Sequence, residues 1–209
     1  MAVTEVPKQA RSHLTRARIV EAAALTLVEH GYQKTSTPRI AAEAEVSQGA
    51  LFKHFPSKTL LLAACVERLL ASFVAGFRDD MTTRVEREAP IKERVEVAVR
   101  GLWRVFRRPE MRVVFEVYVA AWTDRDLARA LSDILGIHRE NILTEARELF
   151  PELSDAADFA AVVDAVVYAM QGVVLGLFTP DAEEALHIAF FERLAMRELE
   201  AVMLHGVRR

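Results

Sequence analysis

The chain has 209 residues, a formal net charge of −3 and a hydrophobic content of 52%. This composition excludes a disordered chain, and the single cysteine, Cys65, excludes an intrachain disulfide and fits a reducing cytoplasm. The 8 glycines and 7 prolines are few, and apolar residues recur at helical spacing almost throughout. We therefore predict an all-α fold of about nine helices without a sheet.

Charge is distributed unevenly along the chain. Residues 1–60 contain 8 basic and 5 acidic side chains, whereas the remainder contains 19 basic and 25 acidic ones. A basic N-terminal module suits the binding of phosphates, and DNA would repel the acidic remainder. Within the basic part, Arg16 to Glu29 are predicted to form an amphipathic helix with Ile19, Ala23 and Leu27 inward, closed by Gly31.

Two short helices are predicted to follow. Ser36 offers a side-chain oxygen to the first, and Pro38 falls in its first turn, where a missing N–H costs little. Ser47 is the predicted N-cap of the second, whose buried side carries Leu51 and Phe55. Its opposite side carries small, polar or basic residues: Gln48, Gly49, Lys53 and His54. This order predicts a helix-turn-helix, a motif that places its second helix in the DNA major groove.

Residues across both short helices match a known pattern. They are Thr35-Ser36-Thr37, Ile40-Ala41, Val46-Ser47-Gln48-Gly49-Ala50-Leu51, His54-Phe55, Ser57-Lys58 and Leu60-Leu61. This run resembles the DNA-binding domain of the TetR family of bacterial transcriptional regulators. Glu45 stands where that family usually has a turn glycine, so it must adopt a left-handed conformation or widen the turn. Phe52 stands where a phosphate-contacting tyrosine is usual, and it has no hydroxyl to donate.

The motif predicts which residues meet DNA. Phosphate contacts are expected from His54 and Lys58, from backbone amides at the Ser36 and Ser47 helix starts, and with help from Arg16, Lys8 and Arg11. Base edges are expected to meet Gln48, Ala50 and Lys53, with glutamine addressing adenine and lysine guanine. Gly49 would permit close approach of the backbone. A three-helix core without a DNA role would need the same caps but not this outer face.

Six further helices are predicted from Lys58 onward. They run from Lys58 to about Asp79, Pro90 to Arg107, Pro109 to Thr123, Asp124 to Phe150 with a kink at Gly136, Asp155 to Phe178, and Asp181 to His205. The resemblance implies that they form an effector-binding and dimerisation domain. We therefore predict a flexible basic tail at 1–14, a DNA-binding domain at 15–60 and this second domain at 61–209.

Small residues form a stripe along the helix that begins at Asp155. The stripe consists of Ala161, Ala165, Ala169, Gly172 and Gly176. Small side chains let another helix approach closely. In TetR-like proteins the last two helices of each protomer meet their copies in a four-helix bundle, so the small-residue stripe is the predicted homodimer interface. The alternative is that it packs inside its own protomer.

Aromatic residues suggest an effector pocket, which the resemblance places among these helices. Its predicted wall consists of Trp103, Phe106, Met111, Phe115, Tyr118 and Trp122, with Tyr168 and Gln171 making it partly polar. Such a wall suits a largely apolar small molecule with one or two hydrogen-bonding groups, and disfavours anions and metals. The alternative is that these side chains fill an ordinary helical core.

Several kinds of chemistry have no signal in the sequence. There is no phosphate-binding glycine loop and no nucleophile turn, and the six histidines form no metal-ligand pattern, so we predict no enzyme activity, no cofactor and no metal. The apolar stretch Ala160 to Phe178 contains Asp164 and Gln171, and no secretory signal is visible. We therefore predict a cytoplasmic protein that does not enter the membrane.

Together these features predict a homodimeric repressor that binds an inverted-repeat operator in double-stranded DNA and is released by an effector. The alternative is a helical ligand-carrying or protein-interacting dimer without operator binding, to which Glu45 and Phe52 point.

Overall fold

A computed structural model describes residues 8–176 and 183–206. Within these ranges the chain forms nine α-helices, one short 3-10 helix at Pro151–Leu153, and no strand. The helices are α1 (Lys8–Lys34), α2 (Thr37–Glu43), α3 (Gln48–His54), α4 (Lys58–Arg84), α5 (Ile91–Phe106), α6 (Pro109–Ala121), α7 (Arg125–Leu149), α8 (Phe159–Leu175) and α9 (Glu184–Gly206). The all-α prediction is confirmed. The predicted helix ends at Phe178 and Asp181 lie outside the described residues.

The chain divides into two compact units that are discontinuous in sequence. The first contains residues 1–70 and 109–135, and the second contains residues 71–108 and 136–209. Helices α4 and α7 each begin in the first unit and end in the second. The predicted domain boundary at residue 60 stays a prediction, because this division follows contacts rather than function.

Helix α1 is longer than the sequence pattern indicated. It begins at Lys8 rather than at Arg16, so residues 8–14 are helical and not a flexible tail. No glycine or proline separates the two positions, and Thr15 Oγ1 donates to the Arg11 carbonyl at 2.9 Å, so nothing stops the helix there. The predicted inward face is confirmed by the burial of the Ile19, Ala23 and Leu27 side chains.

Gly31 interrupts α1 near its C-terminal end. Its φ of 74° and ψ of 169° lie outside the helical region, and glycine adopts this positive φ without the steric cost of a Cβ. A final turn continues to Lys34 beyond the break. Thr35 is buried, and its Oγ1 donates to the Gly31 carbonyl at 2.7 Å.

The start of α4 supplies the core of the first unit. Residues 61–66 are all buried, and burial raises the pKa of the Cys65 thiol to about 12. By length and composition α4 could cross a membrane, but 56% of its most apolar stretch is buried inside the protein, as is typical of a core helix. The helix ends at Arg84 and not near Asp79, since no breaker follows Asp79.

The second unit is held together by packing among α5, α8 and α9 and by ion pairs between its helices. The buried Arg94 on α5 pairs with Glu152 and donates to the Leu149 carbonyl at 2.5 Å, which closes the end of α7. Arg139 on α7 donates to Asp164 on α8 at 2.7 Å. Helix α7 continues through Gly136 without interruption, and the kink expected there stays a prediction.

Helix α8 is shorter than predicted. It begins at Phe159 rather than at Asp155, because the 3-10 helix and a turn occupy the residues before it. The Phe159 side chain is fully buried at this start. At the other end α8 stops at Leu175, and Gly176 has left the helical conformation.

Candidate nucleic-acid interface

The turn between α2 and α3 is tight and contains one strained residue. Glu45 has a φ of 51°, which confirms the left-handed conformation expected where a glycine is usual. The Val46 amide donates to the Ala41 carbonyl at 2.9 Å and closes the turn. Arg18 on α1 donates to the Ala44 carbonyl at 2.6 Å and lies 3.5 Å from the Glu45 carboxylate, so α1 holds the turn in place.

The two serine caps behave differently. Ser47 Oγ accepts the Ala50 amide at 3.1 Å, as predicted. Ser36 occupies the N-cap of α2, but its side chain makes no capping hydrogen bond, so that prediction is wrong. Pro38 has no N–H at the second helical position, which removes one of the two amides that a serine N-cap bonds.

Helix α3 presents the predicted outer face. Leu51 and Phe55 are buried against the first unit, while Gln48, Gly49 and Lys53 are exposed, and Ala50 and His54 are half-buried. Phe52 is 42% exposed, so its phenyl ring lies at the surface of the same helix. The outer face of α3 is therefore largely exposed. That these residues contact bases or phosphates stays a prediction.

Two predicted phosphate-binding cations have partners within the first unit. Lys58 Nζ donates to the Thr35 carbonyl at 2.7 Å and lies 5.1 Å from the centre of the Tyr32 ring. Burial lowers the pKa of Lys58, yet its ammonium has three donors, so two stay available for a phosphate. The Arg16 guanidinium lies 4.9 Å from the centre of the Phe55 ring. The side chain of Lys8 lies outside the described residues.

The predicted pocket residues fall in both units. Met111, Phe115, Tyr118 and Trp122 belong to the first unit, and Trp103, Phe106, Tyr168 and Gln171 belong to the second. Trp103, Phe106 and Met111 are buried, Phe115, Tyr118 and Gln171 are half-buried, and Tyr168 is 55% exposed. Trp122 is 83% exposed and does not line a closed wall. Helix α6 ends at Ala121, so the helical spacing from Tyr118 does not continue to Trp122.

A polar cluster in the second unit was missed by the sequence reasoning. His187 on α9 stacks on Trp103, with ring centres 6.0 Å apart and an interplanar angle of 13°. Beside them along the same helices, Arg100 pairs with Glu192 at 2.8 Å. Trp103 Nε1 and His187 Nδ1 are buried without a hydrogen-bond partner among the described residues. No motif marks His187, because its position depends on the packing of α5 against α9.

The small-residue stripe lies at the surface of the second unit. Ala161, Ala165, Ala169 and Gly172 are exposed, and a Cβ at Gly172 would meet no heavy atom within 4 Å. Packing of these four residues inside their own protomer is thus not seen among the described residues, and the dimer interface stays a prediction. Gly176 does not extend the stripe as a helical residue, because it follows the last residue of α8. Large apolar side chains are also exposed on α8 and α9: Tyr168, Leu175, Leu186, Phe190 and Leu204.

A capped helix-turn-helix with an exposed, polar and basic second helix defines the protein as a DNA-binding regulator. Residues 19–65 match the family described as bacterial regulatory proteins, tetR family. An HTH-type transcriptional regulator of Mycobacterium tuberculosis is 30% identical over 174 residues, which cover 77% of this chain and 87% of the relative. The chain belongs to the TetR family, and it is a transcriptional regulator and not an enzyme.

Solved structures show the same fold at low sequence identity. A TetR-family regulator from Mesorhizobium loti has a TM-score of 0.66 and 18% identity, with 93% of this chain and 97% of that chain covered. The multidrug binding protein EbrR, solved with ethidium, has a TM-score of 0.63 and 20% identity, with 88% of this chain and 97% of that chain covered.

Proposed function

We propose that the protein is a cytoplasmic homodimeric repressor that binds an inverted-repeat operator through α3 and is released by a small, largely apolar effector. The observation that carries DNA binding is the exposed face of α3, where Gln48 and Lys53 stand on a helix capped by Ser47. One argument for the alternative, a dimer without operator binding, was that Glu45 would disturb the turn between α2 and α3. The strained Glu45 has Arg18 as a partner and leaves the turn closed.

Dimerisation is supported by the outer face of α8 and α9. It combines the small-residue stripe, which permits close helix approach, with exposed large apolar side chains such as Leu186 and Phe190. An apolar surface of this kind in a soluble regulator marks an interface. A second copy of the same face would be self-complementary about a two-fold axis.

Effector binding is supported by the Trp103–His187 pair. A buried indole N–H without an acceptor is unfavourable by about 1–3 kcal/mol, so a ligand that offers an acceptor would be favoured there. Phe106 is buried on the same helix, and apolar surroundings of this kind disfavour an unpaired charge. The structural relative EbrR is described as a multidrug binding protein and was solved with ethidium, an aromatic small molecule.

The test begins with duplexes selected from a random pool by the wild-type protein. We expect an inverted repeat, bound by two protomers. A panel of neutral aromatic compounds with a hydrogen-bond acceptor is then screened for release of this duplex. In a Trp122→Phe background, Trp103 is the only tryptophan, so a releasing compound should change its emission. Binding to no duplex would contradict the DNA-binding role. Release without any change at Trp103 would place the effector elsewhere.

A further inference from the structure

The break in α1 leaves a backbone amide that another helix satisfies. Because Gly31 turns away from the helical path, the Tyr32 amide donates to Glu116 Oε2 on α6 at 2.5 Å. A Cβ built at Gly31 would lie 3.4 Å from the same carboxylate oxygen, so the carboxylate rests directly against the break. Helices α1 and α6 pack against each other within the first unit. Glu116 therefore holds the first residue after the break.

The turn that follows holds Lys58. Thr35 ends this turn, and its carbonyl accepts from Lys58 Nζ at 2.7 Å. Tyr32 begins the turn, and its ring lies 5.1 Å from the same ammonium. Both of the intramolecular partners that the structure gives Lys58 thus belong to the segment Tyr32–Thr35, whose start is bonded by Glu116.

Other charges face this segment as well. Burial and the Asp124 carboxylate raise the pKa of Tyr32, which keeps its phenol protonated at neutral pH. Asp124 itself accepts the Asp126 and Leu127 amides at 3.0 Å each and caps α7. The Asp124 carboxylate is thus engaged in capping α7. The Glu116 carboxylate is the one that accepts a hydrogen bond from the Tyr32–Thr35 turn.

We propose that Glu116 is a positioning residue for DNA binding: by accepting the Tyr32 amide it holds the Tyr32–Thr35 turn, and through it Lys58 and the start of α4. Lys58 is the first residue of α4 and lies four residues after the end of α3. The proposal rests on the phosphate contact that the proposed function assigns to Lys58. It requires neither the dimer interface nor the effector.

The test compares two substitutions of Glu116 with a matched control. Glu116→Ala removes the acceptor and should weaken binding to the selected duplex by about tenfold, with a similar loss for an unrelated duplex, because phosphates carry no sequence information. Glu116→Gln keeps an oxygen that accepts the Tyr32 amide and should recover most of the affinity. The control is Glu110→Ala. The Glu110 carboxylate lies on the same helix but bonds no described residue, so this variant should bind DNA like the wild type. Equal melting temperatures exclude misfolding.

Two further measurements separate positioning from a general structural effect. In a double-mutant cycle, Lys58→Ala with Glu116→Ala should bind no more weakly than Lys58→Ala alone, because Glu116 acts through Lys58. Amide hydrogen exchange in the DNA-free protein should be faster at Tyr32 in Glu116→Ala. Additive losses, or unchanged exchange at Tyr32, would overturn the proposal while leaving the proposed function intact. A wild-type protein that binds no duplex would overturn both.

Discussion

The outer face of α3 and the small-residue stripe of α8 are both exposed, but they are held by different interactions. The start of α3 is capped by a contact only three residues apart, from the Ala50 amide to Ser47 Oγ. The stripe is exposed because α8 turns its other side, with Val166 and Met170, toward the core of the second unit. The exposed polar face of α3 could therefore be predicted from the local sequence. The exposure of the small apolar residues on α8 could be recognised only once the helices that pack against α8 were known.

The largest expected effect is the loss of dimerisation on substitution in the small-residue stripe. Gly172→Glu should separate the proposed dimer into monomers and raise its dissociation constant at least about a hundredfold, because burying an unpaired carboxylate costs several kcal/mol. Gly136→Glu is the matched control, since that glycine is also an exposed helical residue with open space around its Cβ. Light scattering across a dilution series measures both. An intact dimer in Gly172→Glu would place the interface on another face.

The predicted base contact of Gln48 on α3 is tested by the DNA sequence that the protein prefers. Gln48→Ala should lose about 1–3 kcal/mol of discrimination at one base pair of each half-site. Gln171→Ala removes the same side chain from the second unit and should leave the preference unchanged. Selection of duplexes from a random pool with each variant gives the result. Retention of the wild-type preference by Gln48→Ala would show that another residue reads that base.

The local nature of the α3 face can be tested by its caps. Ser47→Ala should lower the free energy of unfolding by about 1 kcal/mol, because the Ala50 amide loses its acceptor. Ser36→Ala should change it by only a few tenths of a kcal/mol, since its side chain makes no capping bond. Urea unfolding of both variants compares them directly. Equal losses would mean that Ser36 caps α2 in solution.

A substitution of Phe52, on the surface of α3, is expected to strengthen DNA binding. Phe52→Tyr adds a hydroxyl to a ring that is already 42% exposed, and one new hydrogen bond to a phosphate should strengthen DNA binding by about 0.5–1.5 kcal/mol. An unrelated duplex should gain as much as the selected one. Fluorescence anisotropy titrations measure both. A gain confined to the selected duplex would indicate a base contact.

The last prediction is a pH dependence of stability in the second unit. Burial lowers the pKa of His138 from its ordinary value of 6.5, so the unfolded chain takes up the proton first. The contribution of neutral His138 to stability is fully present above pH 6.5 and is lost as the pH falls toward the folded pKa, with a slope of at most about 1.4 kcal/mol per pH unit. His138→Gln should flatten urea stability between pH 8 and 5. His13→Gln, at an exposed position, is the matched control.

The helix-turn-helix was predictable nearly residue by residue, because its caps and its buried positions are spaced within single helices. Even there, the missing capping hydrogen bond of Ser36 was not predicted, because it depends on the amide that Pro38 lacks at the second helical position. Beyond the helix-turn-helix the number of helices was predictable, but not the exposure of Trp122, which follows the last residue of α6. His187 could not be found either, because it meets Trp103 only through the packing of α9 on α5.

The fully buried Cys65 has a practical consequence for experiments on this regulator. Its thiol is held protonated by a pKa of about 12, so maleimides and other thiolate-directed reagents should leave it unmodified in the folded protein. A cysteine introduced at the exposed Lys53 or Gly172 could then be labelled selectively in an otherwise natural chain. Spin or fluorescent labels at these two positions would report distances within the assembly without any cysteine-free background.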